Sequence, residues 1–290
     1  MKFRNLLWAL VPLGLLGAVV SAPEPSTAIQ AKSAAPTFTP KRFSVAVKGN
    51  GPDVILIPGL ASSRDVWNGT VAAVPGYRYH LIQIAGFGGD KPGANAAGEI
   101  VAPVAEEIAR YIAAKGLQRP ALVGHSMGGT LAMMVAARHP ATVGKVMVVD
   151  IYPEPAGLLG QSATGVRGLA ESLRGITSTP DGRALVASVV EMFAPPRKDD
   201  SRSDSDVVAR ATHELALTDL GPELPKIKAP LTVVYASPEA AQSQALHRSF
   251  VAAYAPKRDA KLVRVENSGH MIMYDQPARF RAALKAFLTD

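Results

Sequence analysis

The sequence predicts an α/β fold: a mostly parallel central sheet with helices on both faces and an inserted helical cap. Three observations lead there. Short apolar runs alternate with longer amphipathic stretches, the pattern of strands joined by crossover helices. Runs such as Val54-Ile55-Leu56-Ile57 and Val146-Met147-Val148-Val149 are apolar throughout instead of alternating, as strands covered on both faces are. The rhythm then breaks between about Tyr152 and Lys226, where only helical periodicity is found, and an insertion of that length in a regular sheet protein reads as a lid over a site.

Taken in order, the chain opens on Lys2 and Arg4, an apolar stretch from Leu6 to Val20, and small, proline-rich sequence. This reads as a secretory signal over residues 1–22, cut after Ser21, since Pro23 disfavours cutting after Ala22. The competing reading is an uncleaved anchor, although a stretch containing Pro12, Gly14 and Gly17 is short for a membrane span. Residues 23–41, rich in Pro, Ala, Ser and Thr, read as a tether without a fold. Strands are expected at Phe43–Val47, Val54–Ile57, Tyr79–Ile84, Ala121–Val123, Val146–Val149, Leu231–Tyr235 and Lys261–Val265. Helices are expected at Glu99–Lys115, Met127–Arg138, Ala240–Tyr254 and Pro277–Leu288. The core is then 42–151 with 227–290, and the cap 152–226, with helical segments at Gly165–Arg174, Arg183–Phe193 and Asp206–Leu217.

Composition narrows the function. A chain of 290 residues that is 48% hydrophobic and 19% charged builds a sizeable core, which excludes global disorder. The formal charge of +7 comes from scattered Lys and Arg, with no basic run interleaved with aromatics, so nucleic acid is not the expected partner. The absence of cysteine excludes disulfides, thiolate metal sites, a cysteine nucleophile and a lipoprotein anchor together. No His/Asp/Glu cluster has metal-ligand spacing, and Gly86-Phe87-Gly88-Gly89 lacks the Gly-Lys-Ser/Thr of a phosphate loop.

Residues 120–131 carry the chemistry. Ala121–Val123 runs into Gly124-His125-Ser126-Met127-Gly128, and a helical pattern follows. Such a turn lifts a serine hydroxyl clear of the sheet, and a side chain at Gly124 or Gly128 collides with the neighbouring strand or helix. The competing reading is a tight turn with an exposed serine. The hydroxyl needs a base. Of six histidines, His80, His125, His139, His213 and His247 read as structural or solvated. His270 follows the last strand in Asn267-Ser268-Gly269-His270, at the carboxyl edge where sites gather in open α/β sheets.

These landmarks, over about residues 43–290, resemble the α/β-hydrolase fold superfamily, in its lidded serine-hydrolase, esterase-like branch. Pro58-Gly59-Leu60 stands after a strand where that family often has His-Gly. Gln83-Ile84-Ala85-Gly86-Phe87-Gly88-Gly89-Asp90 is similar to its D-x-x-G-x-G-x-S loop, with Gln83 for Asp and Asp90 for Ser. Gly124 to Gly128 is the elbow, and Ser268-Gly269-His270 resembles the C-terminal Gly-His. The resemblance implies an oxyanion hole from the N–H groups of Leu60 and Met127. It also implies an acid for His270 after the strand that resumes beyond the cap. There Glu239 falls in register with the family's Gly-x-x-Asp, Ala236 replacing the Gly; Asp150, ending the strand after the elbow helix, is the rival.

The function expected is that of a metal-free serine hydrolase. It would cleave carboxylic esters or related acyl compounds through an acyl-enzyme on Ser126, with His270 and Glu239, or Asp150, completing the triad. A C–C bond or lactone hydrolase would use the same triad. A catalytically silent binding module is the reading from another class, for which Gln83 and Ala236 leave room. No cofactor is expected. Leu158, Leu159, Met192 and Phe193 in the cap hint at an apolar substrate. The expected location is outside the cytoplasm, periplasmic or secreted, with membrane contact only through an uncleaved N-terminus.

Overall fold

In the computed structural model, which describes residues 38–160, 162–165, 175–191, 202–238 and 243–290, all seven expected strands form. They are β1 (Phe43–Lys48), β2 (Asp53–Ile57), β3 (Arg78–Ile84), β4 (Ala121–His125), β5 (Lys145–Val149), β6 (Leu231–Ser237) and β7 (Lys261–Glu266). Their order across the sheet is β1-β3-β2-β4-β5-β6-β7. Only β1 runs antiparallel, paired to β3 at the edge; every other pairing is parallel.

Alternating side chains of the inner strands feed two separate cores, because successive residues of a strand point to opposite faces. Ile55 and Ile57 of β2 enter one, Val54 and Leu56 the other. The helices are α1 (Asn68–Ala73), α2 (Val101–Ala114), α3 (Met127–Arg138), α4 (Pro180–Glu191), α5 (Ser205–Leu217), α6 (Ser243–Tyr254), α7 (Ile272–Asp275) and α8 (Pro277–Thr289). Val104 of α2, Leu131 of α3 and Phe250 of α6 close the first core. Phe280 and Leu284 of α8 close the second, where the Trp67 ring lies 6.2 Å from that of Phe280. Helix α3 is buried at every position from Met127 to Ala137, so it runs beneath neighbours on all sides. Helix α8 ends on Lys145, whose Nζ donates to the carbonyls of Phe287 (3.0 Å) and Leu288 (3.3 Å). A cation at the last turn satisfies carbonyls that have no partner within the helix.

Between β5 and β6 the described residues contain no strand, only a short 3-10 turn at Pro155–Leu159, helices α4 and α5, and a second 3-10 stretch at Gly221–Lys226. The helix expected at Gly165–Arg174 lies almost wholly outside the described residues, as do the signal and most of the tether. Helix α5 starts on Asp204, whose Oδ1 accepts from the N–H groups of Asp206 and Val207, each at 3.0 Å. Two of its charged side chains tie it to the core. Arg210 donates to the carbonyls of Asn95 and Gly98. The Glu214 carboxylate accepts from the N–H groups of Ile100 (3.0 Å) and Val101 (2.8 Å), which open α2. Helix α2 has no capping side chain of its own, so the insertion supplies one from 113 residues away. Burial lifts the Glu214 carboxyl above the ordinary glutamate range, while the two N–H bonds pull the other way.

Candidate active site

At the carboxyl end of β4 the chain turns into α3 through Ser126, which has φ 52° and ψ −122°. Positive φ is rare for a residue with a Cβ and costs about 1 kcal/mol or more, so it persists only where the surroundings dictate it. Here they do. The Ser126 N–H donates to Val149 O at 2.8 Å, and Ser126 O accepts from Gly129 N–H, also at 2.8 Å. The flanking glycines leave no room for any side chain. A Cβ on Gly124 would lie 2.0 Å from Gly128 O, and one on Gly128 would lie 2.2 Å from Ile57 O. Close approach of β2, β4 and α3 thus forces the serine outward, where it stays partly exposed.

The next strand over, β5, is followed directly by Asp150, also at positive φ (53°). Its N–H donates to Val234 O at 2.8 Å, and its Oδ1 accepts from Ala236 N–H at 2.7 Å. The other oxygen, Oδ2, lies 2.8 Å from His270 Nδ1. A carboxylate only accepts, so Nδ1 carries the proton and Nε2 is left free to accept one. The carboxylate that meets His270 is therefore that of Asp150, the rival in the sequence; Glu239, favoured there by register, lies outside the described residues. Asp150 reaches His270 because β5 lies next to β6, which pairs with β7, and its carboxylate is aimed across β6 by the Ala236 N–H.

The loop bearing His270 is held from several sides. Gly269 N–H donates to Asp275 Oδ2 at 2.8 Å, and Gln276 Nε2 donates to Asn267 O at 2.8 Å. His125, read in the sequence as structural, supplies a third hold. Its Nε2 donates to the His270 carbonyl at 2.9 Å, and the two rings lie 4.6 Å apart. Among the described residues no hydrogen bond joins the Ser126 hydroxyl to His270; such contacts are commonly long before substrate is bound and tighten around it. Gly59 approaches closely enough that a Cβ would sit 3.0 Å from His125 Nδ1 and 3.2 Å from Ser126 Cβ, which brings Leu60 beside the serine. Leu60 N–H has no hydrogen-bond acceptor among the described residues, and Met127 N–H, opening α3, has none within the helix.

Gln83, the departure from the family's aspartate, is buried and ties two loops together. Its Oε1 accepts from Arg64 N–H at 2.8 Å, and its Nε2 donates to Phe87 O at 2.9 Å. Of the apolar residues singled out in the sequence for this insertion, Leu158 is 44% exposed. Met192 and Phe193 lie outside the described residues. A groove of about 670 Å³ between residues 152–160 and α6 is lined by Tyr152, Glu154, Leu246 and Ser249; neither Ser126 nor His270 borders it.

Complete burial, reinforced by repulsion from the His270 ring, pulls His125 down to a pKa of about 3. The ring is neutral at pH 7, with Nε2–H donating and Nδ1 unprotonated. Its folded value lies below that of the unfolded chain, near 6.5. The unfolded state therefore binds the extra proton between these values, and stability falls as pH drops from about 6.5 toward 3. Unfolding free energies from urea titrations at pH 7 and pH 4.5 should differ by roughly 2–3 kcal/mol more in the wild type than in His125→Gln. Equal pH slopes in the two proteins would show that the ring is protonated when folded.

Residues 54–283 match a family model described as the alpha/beta hydrolase family. The chain is 34% identical over 114 residues to a pimeloyl-[acyl-carrier protein] methyl ester esterase of Aeromonas hydrophila, an alignment covering 38% of this chain and 43% of that protein. It thus spans less than half the length of that relative. It is 27% identical over 248 residues to an N-formylmaleamate deformylase of Pseudomonas putida, covering 83% and 90% of the two chains. Among solved structures, the enol-lactonase of Burkholderia xenovorans superposes with a TM-score of 0.61 at 21% identity, covering 86% of this chain and 96% of that one.

Proposed function

The chain belongs to the alpha/beta hydrolase family, and from that premise we propose that it is a hydrolase that cleaves carboxylic esters or related acyl compounds through an acyl-enzyme on Ser126. The observation that carries the reading is the Asp150–His270 pair at 2.8 Å beside a serine held at φ 52°. His270 Nε2 takes the Ser126 proton as the hydroxyl attacks the carbonyl carbon. The N–H groups of Leu60 and Met127 hold the oxyanion, each donor contributing about 3 kcal/mol in the transition state. Asp150 keeps His270 in the tautomer that accepts at Nε2 and stabilises the imidazolium. The alcohol leaves with the proton from His270, and water, deprotonated by the same ring, releases the acid and restores Ser126. An esterase, a deformylase and an enol-lactonase among the similar proteins all act at acyl carbons, which supports the acyl class without choosing within it.

The N-terminal composition supports export, with cleavage after Ser21. Mass spectrometry of the mature chain should find Ala22 at its N-terminus.

A fluorophosphonate probe tests the central reading. It should label the protein stoichiometrically, on the peptide carrying Ser126, and a chain-length series of nitrophenyl esters with an amide and a lactone alongside should rank the bond types. A folded protein left unlabelled would make the chain a silent binding module instead.

A further inference from the structure

We propose that Ser203, on the chain returning from the cap, is a positioning residue for the oxyanion-binding loop; the inference rests on the acyl-transfer reading of Ser126. The Pro58–Ser63 loop turns sharply, with Ser62 N–H donating to Gly59 O at 3.2 Å. Leu60 and Ala61 are the two central residues of that turn, and Ala61 sits at φ 53° with a buried methyl group. A non-glycine residue in that region relaxes unless something fixes it. The Ser203 hydroxyl does so. It donates to Ala61 O at 3.2 Å and accepts from Gly88 N–H at 3.1 Å, joining the turn to the Gly86–Gly89 loop. Ser203 itself is only 8% exposed.

Its neighbours keep it there. Asp204 N–H donates to Gly86 O at 2.7 Å, and Val207 packs so tightly on Gly86 that a Cβ there would lie 2.8 Å from its Cγ2. The hydroxyl's single proton and one of its acceptor lone pairs are thus engaged by backbone groups of these two loops. Without it, Ala61 is released toward the ordinary right-handed or extended regions. That loosens the Gly59–Ser62 turn as a whole, and with it the Gly59–Leu60 peptide, so that the Leu60 N–H shifts away from the position the oxyanion will take. Donors placed for the transition state affect turnover and leave ground-state binding alone. The insertion between β5 and β6 thereby contributes to the chemistry.

Three variants of the full chain test this. Ser203→Ala should lower kcat about tenfold with KM within about twofold, and slow fluorophosphonate labelling of Ser126 by a similar factor. Ser203→Thr, which keeps the hydroxyl, should recover most of both rates. Should Ser203→Ala fold poorly, Ser203→Cys keeps the volume with a weak donor, and the same split between kcat and KM is expected. Wild-type kcat in a folded Ser203→Ala or Ser203→Cys protein overturns the assignment, as does a loss confined to KM and Tm. An unlabelled wild-type protein sinks the serine reading itself, whereas a labelled wild type with undiminished Ser203→Ala turnover sinks only the role of Ser203.

Discussion

Replacing Ser126 by Ala should lower kcat by at least about 10⁴-fold while leaving the fold intact and substrate binding within about twofold. His125 and Met127, its chain neighbours, are buried and carry no hydroxyl, and Thr130, one turn along α3, is fully buried. The strain at φ 52° belongs to the backbone and persists in alanine. Ser126→Gly removes the Cβ penalty and should raise unfolding stability by about 1 kcal/mol while abolishing turnover. Steady-state kinetics on protein whose active sites have been titrated, paired with urea unfolding, reads both effects. Retention of more than a few per cent of turnover in Ser126→Ala would remove the residue from the nucleophile role.

Asp150→Asn should cost about 10⁴-fold in kcat, and Glu239→Gln should leave kcat within about threefold. The argument rests on which way an asparagine amide must face. Ala236 N–H needs an acceptor at the position of Asp150 Oδ1, so the amide oxygen turns there. The NH₂ then faces His270 Nδ1, which can only accept from it, and the imidazole proton is driven to Nε2. A ring protonated at Nε2 cannot take the serine proton. Nitrogen-15 NMR of the His270 side chain should report that tautomer change alongside the kinetic loss. A comparable loss in Glu239→Gln would transfer the acid role to that residue.

Much of the fold was legible because its strands are buried on both faces. Continuous apolar runs such as Val-Ile-Leu-Ile leave little else for the backbone to do, and the ends of all seven strands fall within two residues of their expected places. Helix α1 was not legible: Asn68–Ala73 has one buried residue, Thr70, and therefore no apolar stripe to detect. The elbow was legible because its two glycines answer local collisions, with β2 and α3 immediately at hand. The partner of His270 was not. Register along one strand favours Glu239, but the contact with Asp150 depends on lateral strand order and on a backbone at φ 53°, neither of which leaves a mark in Val-Val-Asp-Ile. What His125 and Ser203 hold in place was not legible for a related reason. Each acts on a backbone carbonyl remote in sequence, 145 and 142 residues away, and a carbonyl has no sequence signature.

The carboxylate that Glu214 lends to α2 makes the insertion part of the core's folding unit. Exchange of this insertion for another would strip the first turn of a core helix of its acceptors. A grafted segment must bring an acid to the same place or accept a frayed helix beside it. Amide protons of Ile100 and Val101 therefore report attachment of the insertion from within the scaffold, through their exchange with solvent.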